Sequence, residues 1–464
     1  MRPIIAPIGL DYIAQAVEAE GFEPVVVDLA LSEDRDKLLK NAFLGESPIL
    51  VGLTVRNIDD CYMAGGECFL PDIRSLIGKL KSITDAPMVV GGVGYSIDPK
   101  GALEDLGAHY GIRGDGEAAL PELARRILKG ADVSNIPGIV YRSGNVINET
   151  PSLPINIEKY APKRRSFIDN RAYFQLGGQG SIETKRGCNQ RCVYCADPVA
   201  KGSALRLMPP QFVADEIESL LDQGVDVLHL CDSEFNVPMA HAMDVCKELI
   251  NRKLGDRLKW YAYLSPAFFS RELAQTMRAA GCVGINFGVD SAHPKILKYL
   301  GRNHTEKDIE SATGECKRAK IRVMLDLLLG APGETPDTVK YTIEKIKTVS
   351  PDRAGISLGV RIFPGTSIAK QFQNSIDDLY RPRNYPRKSL LYPAFYISPE
   401  LGSDPAGLVA ELVADDPRFF FADTRKKDRN YNYNENLPLV EAIAKGHRGA
   451  YWDILRRIAG ERKI

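Results

Sequence analysis

The sequence predicts an α/β protein made of two successive strand–helix domains and a smaller C-terminal segment. Three observations carry that prediction. Over residues 8–130 short β-rich apolar runs alternate with amphipathic helices, over residues 176–370 the alternation resumes with a longer period, and a tight set of cysteines follows the first strand of that second stretch. Across 464 residues, 60 Lys plus Arg balance 60 Asp plus Glu, and 44% of positions are hydrophobic. Neutral balance removes the basic field that general nucleic-acid binding needs and points to small partners. No apolar run reaches the ~18 residues of a membrane span, and residues 1–9 lack a signal-peptide pattern, so a cytoplasmic protein is expected.

In the first domain, residues 1–135, strands are expected at 24–30, 49–55, 87–93 and 110–113, with helices near 10–20, 69–82 and 116–129. This is the pattern of a doubly wound sheet, which binds ligands outside the carboxyl ends of its strands. Those ends carry Gly52-Leu53-Thr54-Val55-Arg56-Asn57, Gly91-Gly92-Val93-Gly94 and Arg113-Gly114-Asp115-Gly116-Glu117. Glycine there allows backbone to approach a ligand, although tight strand-to-helix turns would use the same residues. Only residues 1–7 precede the first helix, so the usual central first strand is expected to be missing or abnormally short.

Residues 136–175 read as a linker, with a hairpin over 140–146 and a Pro-rich basic stretch. In residues 176–370, strands are expected at 180–185, 225–231, 258–264, 283–289, 323–329 and 354–362, with helices near 209–223, 238–252, 270–280, 305–319 and 335–348. Six β–α units imply parallel strands and a partial (βα)6 barrel of the TIM type, with its site at the strands' C-terminal ends. Residues 371–464, rich in Tyr, Phe, Pro and Asn, form a small α+β or helical cap ending in a helix near 449–458.

After the first barrel strand comes Lys185-Arg186-Gly187-Cys188-Asn189-Gln190-Arg191-Cys192-Val193-Tyr194-Cys195. Three thiolates at this spacing can wrap one iron–sulfur cube from a single loop and leave one iron without a ligand from the motif. A structural zinc site, or a cluster completed by Cys231 or Cys282, is the blander reading.

The motif resembles that of the radical S-adenosylmethionine (SAM) enzymes. The resemblance implies a [4Fe–4S] cluster on Cys188, Cys192 and Cys195, with SAM chelating the unique iron, and Tyr194 near the adenine. Further segments agree: Asp232-Ser233-Glu234-Phe235, Gly288-Val289-Asp290-Ser291 followed by Gly301-Arg302-Asn303-His304-Thr305, and Gly330-Ala331-Pro332-Gly333-Glu334-Thr335. The family pattern places Tyr194, Asp232, Asp290, Ser291, Arg302 and Pro332 at SAM, with Asp290 one methylene shorter than the usual Glu. Asp232 and Ser233, and Glu334 and Thr335, would serve equally as helix-start residues.

Together with the first domain, the chain is similar to the cobalamin-dependent branch, in which a flavodoxin-like (Rossmann-type) cobalamin-binding domain precedes the barrel. The resemblance implies cobalamin contacts from Thr54, Arg56, Asn57, Gly91, Gly92, Val93, Gly94, Gly114, Gly116 and Glu117. No Asp-x-His-x-x-Gly motif is present, so no histidine is expected beneath cobalt; Arg56 or Asn57 could lie under that face, or serve equally as helix-cap or turn residues. The segments 361–366, 392–399 and 446–452 resemble the class containing the tryptophan C-methyltransferase of thiopeptide biosynthesis. Tyr392, Phe395, Tyr396, Tyr431 and Tyr433 could line an aromatic pocket, although aromatic residues in a small cap are more often core.

The resemblance thus implies a C-methyltransferase that moves a methyl group from SAM through methylcobalamin to an aromatic or natural-product carbon of a small-molecule or peptide substrate, served by an external one-electron reductant of flavodoxin or ferredoxin type. Transfer could be radical or polar, and Glu234 and Tyr396 are the candidate bases of the polar route. A cobalamin-dependent cyclase or rearrangement enzyme is the alternative within the superfamily, and a cobalamin or iron–sulfur redox sensor the alternative outside catalysis. No basic output helix supports the sensor, and with only Cys61 and Cys68 in the first domain a second cluster of the methylthiotransferase kind is not expected.

Overall fold

The computed structural model describes residues 2–161, 164–414, 416–422 and 436–461. In the N-terminal domain, Val51–Thr54, Met88–Gly91 and Tyr110–Ile112 pair in parallel, and the hairpin Ile139–Ser143 and Val146–Glu149 adds antiparallel to the last of them. The expected linker hairpin is therefore the edge of this sheet. Helices Leu70–Lys81, Pro99–Leu106 and Ala119–Lys129 follow the parallel strands, and Ile8–Ala19 precedes them. Leu70, Ile77, Leu80, Met88, Val90, Leu103 and Leu106 form the core on one side of the sheet. The helix at 99–106 starts because Asp98 caps the Gly101 N–H at 3.2 Å, and it ends at Gly107 in the left-handed region.

One expected strand does not form. Residues 24–30 join no ladder, and no strand lies among residues 2–50. The sheet has Val51–Thr54 at its edge, whereas a doubly wound sheet would place its first strand there to hold the segment at 24–30. β-propensity alone cannot fix a strand that has no neighbour.

The second sheet has seven strands, in the order Phe419–Phe420, Arg353–Leu358, Arg322–Leu329, Cys282–Asp290, Lys259–Leu264, Val227–Leu230 and Gly180–Ile182, all parallel. The seventh, a short pair of phenylalanines from the C-terminal segment, was not expected. Helices Pro210–Asp222, Met239–Asn251, Arg271–Ala279, Glu306–Arg318 and Pro336–Val349 cover its outside. Ser270, Thr305 and Thr335 cap three of them, the last two with reciprocal capping boxes.

Helix Tyr451–Glu461 plugs the barrel at the end where the strands begin. Trp452 Nε1 donates to Asn286 Oδ1 at 2.6 Å, and the Tyr261 hydroxyl donates to Asp453 at 2.9 Å. The plug fits because residue 284 is glycine: a Cβ there would stand 2.6 Å from the Tyr261 ring and 3.2 Å from Trp452.

The two domains are tied by a fully buried charge network. Arg165 donates to Asp11 at 2.7 Å, to Glu216 at 2.8 Å and to the Ser181 carbonyl at 3.0 Å, while the Tyr12 hydroxyl donates to Glu216 at 2.7 Å. Arg165→Met leaves two carboxylates buried with no cation between them. The expected loss is about 3–5 kcal/mol of unfolding free energy in chemical denaturation, with faster proteolysis near residues 8–19; a loss under about 1 kcal/mol would show that the network does not tie the domains.

Candidate active site

The cysteine loop leaves the barrel from a short ribbon in which Lys185–Arg186 pairs with Arg206–Leu207. Asp232 holds the start of the ribbon, accepting from the Thr184 N–H at 2.8 Å, the Thr184 hydroxyl at 2.6 Å and the Lys185 N–H at 3.2 Å. Gly187 then turns with φ +90°, where a Cβ would lie 2.3 Å from the Ala204 carbonyl. The Cys188 N–H donates to Gly202 at 3.1 Å and the Val193 N–H to Leu300 at 3.0 Å, so both limbs of the loop are pinned by backbone.

Charged groups gather behind the thiols. Arg302 lies 3.0 Å from the Cys192 sulfur, 3.3 Å from Glu234 and 3.3 Å from Asp290, and it also donates to the Gly288 carbonyl. The Tyr194 hydroxyl donates to Asp290 at 2.6 Å. Burial raises the Cys188 thiol, pushes Cys192 up to about 11 and raises Cys195 further, while Arg302 and Lys185 act in the opposite sense on Cys192 and Cys188. Burial likewise raises the Glu234 carboxyl, whose Oε2 is buried without a partner. Among the described residues no three His, Cys, Asp or Glu side chains stand ready-made around a metal position. The donor set nonetheless fits an iron–sulfur cluster: three thiols on one pinned loop, two of them beside cations that favour thiolate.

The residues expected at SAM divide. Tyr194, Asp290 and Arg302 come together with Glu234 beside Cys192. Pro332 lies half-buried in the turn before Glu334. Asp232 does not face a ligand, because both its oxygens are used by Thr184 and Lys185. Ser291 points away as well: its hydroxyl sits 2.9 Å from that of Thr342 on the covering helix.

At the N-terminal sheet, Thr54, Arg56, Asn57 and Val93 are exposed at the carboxyl ends of the strands. The Arg113 guanidinium, at the end of the next strand, donates to the Val199 carbonyl behind the cysteine loop at 3.4 Å, so the strand ends of this sheet face the barrel. Gly92 and Gly94 are required sterically, since a Cβ on them would meet the Val55 carbonyl at 2.7 Å and the Arg56 carbonyl at 2.9 Å. The loop carrying Val93 can therefore press against the loop carrying Arg56. Gly91 continues the strand into that contact, with Val55 N–H donating to its carbonyl at 2.7 Å. An exposed shelf of this kind, with an apolar side chain and an arginine, fits a large flat cofactor between the domains.

Glu117 departs from expectation. Its carboxylate is bound by Arg186 at 2.8 Å, as is that of Asp115 at 2.8 Å, and Arg186 also pairs with Glu183. The ion pair holds Glu117 Oε1 on Arg186. Gly114 donates its N–H to Ser96 at 2.9 Å, and Gly116 makes room for Ile13, where a Cβ would be 2.8 Å away. The motif over 113–117 thus binds the cysteine loop, a use that no local pattern in the sequence revealed.

The C-terminal aromatics also divide. Tyr392 reaches Arg74 at 2.9 Å and bonds to Asp105, Phe395 is core, and Tyr431 and Tyr433 lie outside the described residues. Tyr396 packs at 4.9 Å on Phe372, with Ser398 and Glu400 as its polar neighbours, and does not join the Glu234 group. A surface recess between Phe174, Gln223, Gly224 and Arg448 lies at the other end of the barrel and touches none of these residues.

Comparison with known proteins agrees with this layout. Residues 182–346 match the Radical SAM superfamily and residues 2–124 the B12 binding domain. The tryptophan 2-C-methyltransferase of Streptomyces laurentii is 32% identical over 442 residues, covering 81% of this chain and 74% of that protein. The chain belongs to the cobalamin-dependent radical SAM methyltransferases. The radical SAM methyltransferase TsrM of Kitasatospora setae, solved with tryptophan and a SAM analogue, superposes with TM-score 0.92 at 31% identity over 100% of this chain and 97% of that one. Solved with cobalamin and a [4Fe–4S] cluster, TsrM superposes with TM-score 0.89 over 98% and 96%. OxsB, at 16% identity and TM-score 0.69, shares the fold. As a member of this family the protein is a methyltransferase that uses a [4Fe–4S] cluster, SAM and cobalamin to methylate carbon.

Glu334 yields a pH test. Its Oε2 accepts from the Ala331 N–H at 2.9 Å and from Gly330, yet burial pushes its carboxyl up to about 7. The folded chain therefore holds a proton there that the unfolded chain releases near its usual pKa of 4.5. The stability from that proton is present at lower pH and is lost as pH rises through about 7. Glu334→Gln keeps an acceptor for both N–H groups, so the fall in unfolding free energy between about pH 5 and 7 should flatten by up to one proton; an unchanged slope would contradict the assignment.

Proposed function

We propose that this chain methylates a ring carbon of a small indole amino acid of the tryptophan kind, in the lumen of the barrel between the cysteine loop and the Trp452 plug. The observation that supports this most is the likeness along the whole chain to a methyltransferase solved with tryptophan and a SAM analogue, combined with a lumen of the right character. Tyr263, beside Asn286 in the strand register, presents a ring that is 38% exposed, and His229 packs on it at 5.0 Å.

The bound cofactors supply the difficult step, cobalamin relaying the methyl group of SAM to the acceptor carbon. The chain's own residues bind, orient and exclude water. Cys188, Cys192 and Cys195 hold the cluster, with Arg302 beside the Cys192 sulfur. Tyr194, Asp290 and Arg302 form one bonded group next to that cluster, suited to hold SAM. Thr54, Arg56, Asn57 and Gly91 to Gly94 would form the shelf that holds cobalamin, with the Gly114–Gly116 turn bonded to Ser96 beside it. Glu234 is the better placed of the two candidate bases for a polar transfer, because its Oε2 is buried and unpartnered near the thiols. The described part of the C-terminal segment adds Phe419–Phe420 to the barrel sheet and closes the barrel with the helix Tyr451–Glu461. An external one-electron reductant of flavodoxin or ferredoxin type and a cytoplasmic setting complete this reading, and no helix among the described residues is long and apolar enough to cross a membrane.

The test is anaerobic turnover with methyl-labelled SAM and tryptophan. The account expects a labelled C-methyl product, lost together with iron when Cys188, Cys192 and Cys195 are changed to alanine, and reduced about 10²- to 10⁴-fold in Glu234→Gln. Release of deoxyadenosine with no methylated product would contradict it.

A further inference from the structure

One layer of the barrel interior carries an isolated acid. Gly288, Asp326 and Gly355 stand in register on three neighbouring strands, and residues in register on adjacent strands share a face. The register neighbours on each side are glycines, and the space over Gly288 is taken by the Arg302 guanidinium, whose Nη2 lies 3.4 Å from where a Cβ would stand. Its surface is partly open although protein surrounds it, as expected of a group lining an internal cavity. Burial pushes its carboxyl up to about 7, and the charge acting on it is Asp290, of its own sign.

The carboxyl is also aimed. Trp452 Nε1 donates to Asn286 Oδ1 at 2.6 Å, which turns the Asn286 NH₂ group toward Asp326, where it donates to Oδ2 at 3.1 Å. The plug helix thereby fixes the acid through one amide. No ion pair with Asp326 forms among the described residues. Arg302, whose guanidinium reaches the neighbouring Gly288, is occupied by Asp290 and Glu234. His229 cannot substitute for it, since burial lowers its pKa to about 4 and keeps the ring neutral. A desolvated carboxylate without a cation is costly, and a ligand that brings one would relieve that cost. One layer further toward the plug lies the half-open Tyr263 ring, a surface for an aromatic body.

We propose that Asp326 is the counter-ion for the ammonium group of the substrate, so that this enzyme selects aromatic amines, whether amino acids or arylethylamines, over their deaminated analogues. The proposal rests on the reading that the acceptor is a small indole bound in this lumen. Oriented by Asn286 and flanked by glycines, the carboxylate receives the ammonium while the ring lies against Tyr263. The pair sets specificity and makes or breaks no bond in the methyl transfer.

The experiment measures equilibrium binding of tryptophan, tryptamine and indole-3-propionate to the reconstituted holoenzyme by calorimetry. In wild type the two amines should bind at least about tenfold more tightly than the acid lacking nitrogen. In Asp326→Asn that preference should disappear, and Asp326→Glu should restore part of it. Iron and cobalt content per chain reports whether each variant is folded. Equal binding of the three ligands by wild type, or a preference that survives in Asp326→Asn, overturns this inference and leaves the indole reading standing. Failure to bind any of the three overturns both.

Discussion

Arg186 stands two residues before Cys188, and its guanidinium is held by Asp115 and Glu117 of the N-terminal domain at 2.8 Å each. That contact fixes the cysteine loop relative to the cobalamin-binding domain. Arg206, from the strand paired with Arg186, adds a contact to Asp115 at 3.4 Å. The side chains are 14%, 6% and 6% exposed, so the desolvation penalty takes back most of the attraction and the network adds little net stability. Its value is geometric. Removing one member would strand a buried charge, so the two domains have one inexpensive arrangement.

The same device recurs around the cavity. Arg165 joins the first helix to the barrel through Asp11 and Glu216, and Arg361, just after the last barrel strand of residues 176–370, joins Asp59 at 2.8 Å. Arg74 of the N-terminal domain meets Tyr392 of the cap at 2.9 Å. Each tie links segments far apart in the chain, and together they hold the N-terminal sheet, the barrel and the C-terminal segment in one arrangement. Chemistry in which reactive groups pass a methyl between bound cofactors depends on separation and dryness more than on many catalytic side chains. A rigid frame suits that demand, and the informative groups within it are Glu234, whose Oε2 is buried without a partner, and Asp326, which has an amide partner and, among the described residues, no ion pair.

Much of the fold was legible because its signals are local. Barrel strands and helices follow from apolar periodicity, and the cysteine loop follows from spacing after a strand. Residues whose partners are distant were misread. Asp232 looked like a ligand-facing acid, but its partner Thr184 lies 48 residues away, and Ser291 meets Thr342 at a separation of 51. Glu117 looked like part of a cofactor loop, but Arg186 is 69 residues downstream. The segment 24–30 has strand-like residues and no neighbour to pair with, which propensity cannot foresee. Asp326 sat in the run Val323-Met324-Leu325-Asp326-Leu327, where the strand pattern hid a lone acid whose cost of burial was itself the signal.

The central claim is that one chain holds a cluster and a cobalamin across a single gap. Its most direct test is elemental analysis for iron and cobalt after anaerobic reconstitution with iron, sulfide and hydroxocobalamin and desalting. The account predicts about four irons and one cobalt per chain. Four irons with no retained cobalt would contradict it, because the shelf formed by Arg56 and Val93 would then not be a cobalamin site.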